Sequence, residues 1–497
     1  MAASAFAVLY SAYQYYKKED DHTGIPTPDA AYPYLGHLLS LGDVPSTQIS
    51  KWHDQYGPII RVKMGIQNWI FVSDPLLAQK IFVGSGIYSS ARPYSTFSTK
   101  HYSHGGQGLV FSDDNKSWKE ARTAVLAVLA PKNVEKYIPA IENESDSLVN
   151  RLLKATQEQG GVEAYQFLEL NSTNIITSVL VGVRYTSEQD PDFVEGTTLG
   201  KIGARLVGID MDLPLFLPIL KPFTYFFGIE KKMGNFIKNM QRPFMQKLVK
   251  KAVMTDGPNM IKEFQKEGYS FTDVQKVVII SDLLAAGTET VSATMTWLFT
   301  IVCHMPEVQT RLQAEIDTFI RSHQRLPSFS ERLEFPYMIA VIKETMRFKS
   351  ATPFGIPHKA TKDISVDGYI IPGGSVLISS NEHMHTKSSF YKNGHLFDPE
   401  RYMGDDRLMF SAANGRVNER DHFNFGWGRR ICPGSYLAEV EIFCMIVRIF
   451  SRCHVEAPKD INGKAIIPDL NDHVYRGITT LPKEHQIRFV ERKDKLL

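Results

Sequence analysis

Near its C-terminal end the chain reads Phe425-Gly426-Trp427-Gly428-Arg429-Arg430-Ile431-Cys432-Pro433-Gly434. Gly426 and Gly428 permit a tight turn, and Pro433 suits the first position of an apolar helix reaching about Arg452. Cys432 then stands at a helix N-terminus, where the dipole and free N–H groups favour a thiolate. Gly434 lets backbone come close to a bulky ligand. A thiolate on a glycine loop is suited to serve as an axial metal ligand. Cys303, Cys444 and Cys453 lie in helical apolar runs and read as core residues. A second group is Ala286-Gly287-Thr288-Glu289-Thr290, an acid and an alcohol inside an apolar helical stretch. Glycine, acid and threonine there lower helix stability and ask for a reason, either a glycine packing contact or chemistry. Glu344 and Arg347 share a helix face at i,i+3, and Trp118 and Arg122 do so at i,i+4. His383-Met384-His385 has no companion pair at zinc spacing, which argues against a metal there.

These residues need elements to hold them. Thr272-Asp273-Val274-Gln275 reads as a capping box, opening a helix that stops before Pro306, roughly 33 residues and about 50 Å long. Asp282 and Glu289 inside it argue against a lipid span. Ile59–Met64 and Trp69–Val72 carry a β pattern around Gly65. Short β segments return from Ile364 to Ile378 and after Ile461, while the chain from Trp118 onward is mostly helical in period. The fold class is therefore mainly α with a small β part, in one large domain. Leu206 to Phe227 is apolar but interrupted by Pro214, Pro218 and Pro222, so it reads as buried loop packing or as an apolar lid that touches a membrane.

The N-terminus divides from the rest at Gly24-Ile25-Pro26-Thr27-Pro28, a stiff proline segment. Before it, Ala2 to Tyr16 is apolar and aromatic and is followed by Lys17 and Lys18. A membrane span needs about 20 apolar residues, so the run reads as a short interfacial anchor or as an ordinary first helix. No basic region precedes it and no small-residue cleavage site follows, as a secretory signal would require.

Composition narrows the function. The 497 residues are 43% hydrophobic and 22% charged, ordinary globular values. Lys+Arg 56 against Asp+Glu 54 leaves a net charge of +2, which lacks the basic field of a nucleic-acid binder. Four cysteines cannot form a disulfide framework in so long a chain. Neither a GxxxxGK[ST] loop nor a GxGxxG fingerprint occurs, so a redox enzyme built on this chain would draw electrons from another protein.

The cysteine segment resembles the haem-binding loop of the cytochrome P450 family, FxxGxRxCxG, at Phe425, Gly428, Arg430, Cys432 and Gly434. The other groups match further family elements in the family's order, so the resemblance spans residue 25 to the end. It implies a single haem domain over residues 25–497, with residues 1–24 as anchor and start of the hinge. Its implied cofactor is haem b, with Cys432 as proximal iron ligand. Trp118, Arg122, His358 and Arg430 are implied to hold the haem propionates, and Phe425 and Gly434 to shape the loop. Glu289 and Thr290 are the implied proton-delivering pair on a long central helix, with Val291 where the family often has Thr or Ser. Glu344 and Arg347, joined by Arg401 of Pro399-Glu400-Arg401-Tyr402, form the implied structural triad, with Tyr402 replacing the family's Phe.

The implied activity is that of a haem-thiolate monooxygenase of eukaryotic microsomal type, resembling fungal members. It would activate O2 and hydroxylate an apolar, steroid-like or other lipophilic substrate. Electrons would come from NADPH through NADPH–cytochrome P450 reductase, with cytochrome b5 as an auxiliary partner. The place implied is the cytosolic face of the endoplasmic reticulum membrane, with no nucleic-acid partner. Lys119, Arg429 and Lys132 are candidates for the reductase face. By analogy the pocket is lined from Tyr94 to Leu109, Leu206 to Phe216, near Ala286, Thr352 to Ile356 and near Ile478. The alternatives are a fatty-acid hydroxylase, or a haem-thiolate enzyme that uses peroxide or nitric oxide.

Overall fold

The computed structural model describes residues 22–29, 31–223 and 228–497. The anchor expected over residues 1–24 lies almost entirely outside the described residues. The longer helices are α1 (Pro45–Tyr56), α2 (Lys116–Val128), α3 (Ile138–Gln159), α4 (Ala164–Val181), α5 (Pro191–Leu206), α6 (Arg242–Met254), α7 (Asp273–His304), α8 (Pro306–His323), α9 (Pro336–Phe348) and α10 (Ser435–Arg452). The strands are β1 (Ile59–Met64), β2 (Gln67–Val72), β3 (His358–Lys359), β4 (Ile364–Val366), β5 (Tyr369–Ile371), β6 (Val376–Ser379), β7 (Cys453–Glu456), β8 (His473–Arg476), β9 (Thr479–Pro482) and β10 (Arg488–Glu491).

α7 is the central helix. Its capping box forms as the sequence predicts: the Thr272 hydroxyl accepts from the Gln275 backbone N–H, and Gln275 Oε1 accepts from the Thr272 N–H. The helix ends at Met305 because Pro306 starts the next one. Its buried hydroxyls are satisfied internally, Ser281, Ser292, Thr296 and Thr300 each donating to the carbonyl four residues back. It packs on α4 where Gly287 meets Ile176; a Cβ on Gly287 would stand 2.9 Å from that side chain. α7 is long and apolar enough to cross a membrane, but most of its apolar window is buried inside the protein.

The four-stranded sheet runs β1-β2-β6-β3, with β1 antiparallel to β2, β2 parallel to β6 and β6 antiparallel to β3. The β1–β2 turn needs its glycine. Gly65 has φ +57°, and a Cβ there would stand 2.1 Å from the Phe216 carbonyl. That contact, with Ile66 N–H donating to the same carbonyl, clamps the proline-interrupted segment onto the sheet. The segment forms short helical turns over Ile209–Asp212, Leu213–Phe216 and Pro218–Phe223. It buries Leu206, Phe216 and Leu217, as loop packing requires, and exposes Ile219 and Phe223. The proline segment at residues 24–28 is docked: Ile25 is fully buried and the Pro26 carbonyl accepts from Arg61 N–H of β1.

Candidate functional site

The cysteine loop is closed on itself. Cys432 N–H donates to the Phe425 carbonyl at 2.8 Å, and Phe425 is buried. Gly428, at φ +52°, lies so close to the Phe82 carbonyl that a Cβ would stand 2.8 Å from it. α10 starts at Ser435 with Gly434 as its cap, so Pro433 does not occupy the first helical position as the sequence suggested. The thiol differs from expectation too. Burial pushes Cys432 above the ordinary cysteine value; the Gly434 N–H and the Arg122 guanidinium act against this without reversing it. The helix end alone does not make a thiolate here, whereas a bound metal cation deprotonates a coordinating thiol outright. A Cβ on Gly434 would meet only the Cys432 sulfur, at 3.9 Å, so the turn leaves room at Gly434 on the side of that sulfur.

α7 opens at its middle. Residues 277–283 and 291–302 are buried, yet Ala285 and Ala286 are exposed and Gly287, Glu289 and Thr290 half-buried. The helix is thus covered on both sides of an accessible waist. The Thr290 hydroxyl at this waist donates to the Ala286 carbonyl at 2.8 Å. Burial and the nearby Glu169 carboxylate push Glu289 up to about 7, opposed by Arg476 and by a hydrogen bond from Thr479. Glu289 therefore titrates near neutrality, where a general acid–base group is most effective.

Several cationic side chains converge next to the cysteine loop. The Arg430 guanidinium lies 4.1 Å from the Trp118 ring centre and that of Arg122 5.6 Å from it. Arg430 donates to the carbonyls of Ser90, Leu109 and Ser112, and the Trp118 indole N–H donates to Leu109. Arg122 donates to the Ile431 carbonyl, directly before Cys432. Arg92, which the sequence reading passed over, donates to the carbonyls of Val110, Ile356 and Pro357. Burial lowers Arg92, and repulsion from Arg430 and Arg122 lowers it further; burial also brings Arg430 down to about 10. His358 Nδ1–H donates to the Ser89 carbonyl, and burial, then Arg92, hold the ring well below its ordinary value and neutral. His358 thus brings a polar ring to this cluster, not a charge. Three crowded guanidiniums, with Asp113, Asp114 and Asp282 nearby, form a cluster whose planar donors suit anionic groups. Room beside the sulfur, an accessible helix waist and this cluster together fit a haem, with its iron on Cys432 and its two propionates on the arginines.

Behind the site stands a second charged group. Arg347 and Glu344 are fully buried and joined by two parallel bonds of 2.7 Å. Arg347 also donates to the carbonyls of His385, Gly394 and Leu396, so all five of its N–H groups are used. Glu344 further accepts from Asp398 N–H. Arg401 approaches Glu344 at 3.4 Å and donates to the Lys392 carbonyl.

Arg92, Glu169 and Arg476 were not singled out from sequence, and Asp282 was read only as an acid arguing against a lipid span. Asp282 accepts from the N–H groups of Leu109 and Val110 and pins that loop to α7. An acid one helical turn and more before Gly287 was the available signal, but only folding brings the loop to it.

The family model for cytochrome P450 matches residues 26–489. Among similar proteins, the cytochrome P450 monooxygenase verL of Clonostachys rogersoniana is 24% identical, over 100% of this chain and 93% of that protein. The cytochrome P450 monooxygenase virE of Hypocrea virens is 27% identical, over 94% and 86%. Cytochrome P450 1A1 of Canis lupus familiaris is 26% identical, over 88% and 86%. The solved structure of a zebra fish cytochrome P450 with progesterone has the same fold, with a TM-score of 0.74 and 22% identity over 90% of this chain and 99% of that one.

Proposed function

The chain belongs to the cytochrome P450 family, a haem-thiolate monooxygenase by its relatives, and on that footing we propose that it hydroxylates an apolar, steroid-like or comparably lipophilic substrate with electrons from an NADPH-dependent flavoprotein reductase. The observation that carries the reading is the accessible waist of α7, an acid and an alcohol side by side in an otherwise buried helix. Haem, when bound, supplies O2 activation and the oxidation of the C–H bond. The chain's own residues do the rest. Cys432 holds the iron. Arg92, Arg122 and Arg430 would hold the propionates, with Trp118 packed beneath the Arg122 and Arg430 guanidiniums and His358 bordering them. Ala286 leaves room at the waist, the Thr290 hydroxyl offers a hydrogen bond there, and Glu289 keeps a proton at its carboxyl near neutral pH.

The lipophilic substrate is supported by Ala285 and Ala286, which are exposed at the waist, and by the zebra fish protein of the same fold, whose structure was solved with progesterone. Attachment to the cytosolic face of the endoplasmic reticulum is supported by exposed Leu39, Ile66, Ile219 and Phe223 near the N-terminal end. Contacts of Ile66 with Phe216 and of Ile219 with Tyr34 place most of this apolar surface together. Exposed Lys119, Lys132 and Arg429 support a basic docking face for the reductase.

The test has two parts. Product from a panel of lipophilic substrates should require both NADPH and the reductase; turnover with peroxide alone at the same rate would overturn the reading in favour of a peroxide-using enzyme. Cys432→His should abolish the red-shifted carbon-monoxide band of the reduced protein, and an unchanged band would remove Cys432 as ligand.

A further inference from the structure

The run His383-Met384-His385 does not read as a metal site, and the fold gives its residues other partners. His383 bonds to the Ser50 hydroxyl of α1, and Met384 is fully buried in the core. His385 has a different neighbour. It lies on the short helix Asn381–Thr386 and is fully buried. Its ring stacks on that of Phe423, with 5.6 Å between centres and 10° between planes. Phe423 stands two residues before Phe425, whose carbonyl takes the Cys432 N–H.

The Phe423 N–H donates to His385 Nε2 at 2.8 Å. That nitrogen must be unprotonated to accept. Burial, then the neighbouring His422, Arg347 and Arg420, hold the ring well below its ordinary value and neutral. Its one proton therefore sits on Nδ1, which lies 3.4 Å from the Ser350 hydroxyl oxygen. With that oxygen accepting, the Ser350 O–H donates to Asn424 Oδ1. The Asn424 amide N–H donates in turn to the Met346 carbonyl at 2.6 Å, which sets the orientation of the amide. Donors and acceptors thus alternate without conflict around a closed ring. It runs from Phe423 to His385, from His385 to Ser350, from Ser350 to Asn424, and back to Phe423 along the chain. The ring is also tied to the buried Glu344–Arg347 pair, because Arg347 donates to the His385 carbonyl.

Residues 421–426 belong to no helix or strand, so side chains must satisfy their buried backbone groups. The phenols of Tyr391 and Tyr402 donate to the Asp421 carbonyl at one end, and Arg420 donates to the Gly426 carbonyl at the other. The His385 ring holds the middle. Phe425 follows Asn424 directly, so a shift at residues 423 and 424 passes to the carbonyl that receives the Cys432 N–H.

We infer that His385 and Ser350 are positioning residues for Cys432: their hydrogen-bonded ring holds Phe423 and Asn424, sets the Phe425 carbonyl and so aims the sulfur. Both act through the loop and not on the substrate. The inference rests on the reading of Cys432 as iron ligand, but the hold on the loop can be measured apart from it.

The experiment uses full-length holoprotein compared at equal haem content. His385→Leu removes the acceptor, His385→Gln keeps an amide oxygen for the Phe423 N–H, and Ser350→Ala cuts the ring between His385 and Asn424. Amide hydrogen exchange over residues 421–426 should run about tenfold faster in His385→Leu, about threefold faster in Ser350→Ala, and near the parental rate in His385→Gln. The share of the reduced carbon-monoxide complex in the red-shifted band should fall about threefold in His385→Leu and by a smaller factor in Ser350→Ala, with His385→Gln close to the parent. Parental exchange in both His385→Leu and Ser350→Ala would overturn the ring. Faster exchange with an unchanged band would overturn the positioning role. Equal losses in His385→Leu and His385→Gln would overturn it as well, since packing of the imidazole would then matter and not its hydrogen bond. Where His385→Leu yields no holoprotein, Ser350→Ala decides on the same two readouts. A parent protein without the red-shifted band would instead refute Cys432 as ligand, and the exchange rates would still decide the ring.

Discussion

Two carboxylates inside this protein are treated in opposite ways. Glu344 is fully buried and meets a guanidinium through two short bonds and a backbone N–H through a third. Glu289 is half-buried, has one hydroxyl donor and a second acid close by, and sits at about 7. The first is a network in which donors and acceptors are matched, so the charge is held in place and cannot serve as a proton carrier. The second is left short of partners, and that shortage keeps its proton exchangeable at neutral pH. A complete buried network fixes the assembly; an incomplete one, at an accessible waist, supplies chemistry.

Substitutions should separate the two, beginning with the largest effect on stability. Glu344→Ala strands Arg347 without its buried partner and should cost about 3–5 kcal/mol. Chemical denaturation and the haem content of purified protein measure it, and normal values for both would show that the buried pair is not needed for assembly. Glu289→Gln should act through pH. A carboxyl raised from 4.5 to about 7 contributes fully to the fold below its unfolded value, and the contribution is lost as pH rises through about 7. The variant should lose that part of the slope, a difference of about 1–2 kcal/mol between pH 4.5 and 7 once solvent screening of a half-buried group is allowed for. Glu439, at about 7, and Glu441, at about 8, keep a residual slope in the same direction. An identical pH profile for Glu289→Gln and parent would show that folding does not raise the Glu289 carboxyl.

Arg401→Ala should cost less again, about 1 kcal/mol in denaturation experiments, because its 3.4 Å approach to Glu344 supplements a pair already complete. A loss as large as that of Glu344→Ala would make the triad indivisible. Thr290→Ala should change stability least, by under about 0.5 kcal/mol, since its hydroxyl donates only within its own helix turn. Its functional cost should nevertheless exceed its structural one. Acid–base help of this type is worth about 10²–10⁴-fold where it limits the rate, and water standing in for the hydroxyl should hold the loss of coupling below that range. Product and hydrogen peroxide counted per NADPH decide the point; parental coupling in Thr290→Ala would send proton delivery by another route.

Much of this was legible in the residues. Thr272, Gln275 and Pro306 mark the ends of the central helix through capping and proline geometry, which act over three or four residues. The hairpin around Gly65 follows from period-two alternation and one glycine. Local rules erred where a turn and a helix compete. Pro433 reads as a helix start, yet the helix begins at Ser435 with Gly434 as its cap, and burial, which the sequence does not show, holds the thiol above its ordinary value despite the Gly434 N–H.

The cysteine loop, the acid–alcohol pair, the ExxR pair and the mainly helical class were determined by the sequence itself, because each depends on neighbours a few positions apart. The guanidinium cluster was decided by tertiary structure: Arg92, Arg122 and Arg430 come from separate stretches of chain, and nothing in their spacing sets them side by side. The same holds for Glu169 and Arg476 behind Glu289. Whether a carboxylate is matched like Glu344 or left short like Glu289 depends on how much water packing removes and which distant donors it brings in. Only the folded chain sets those two quantities.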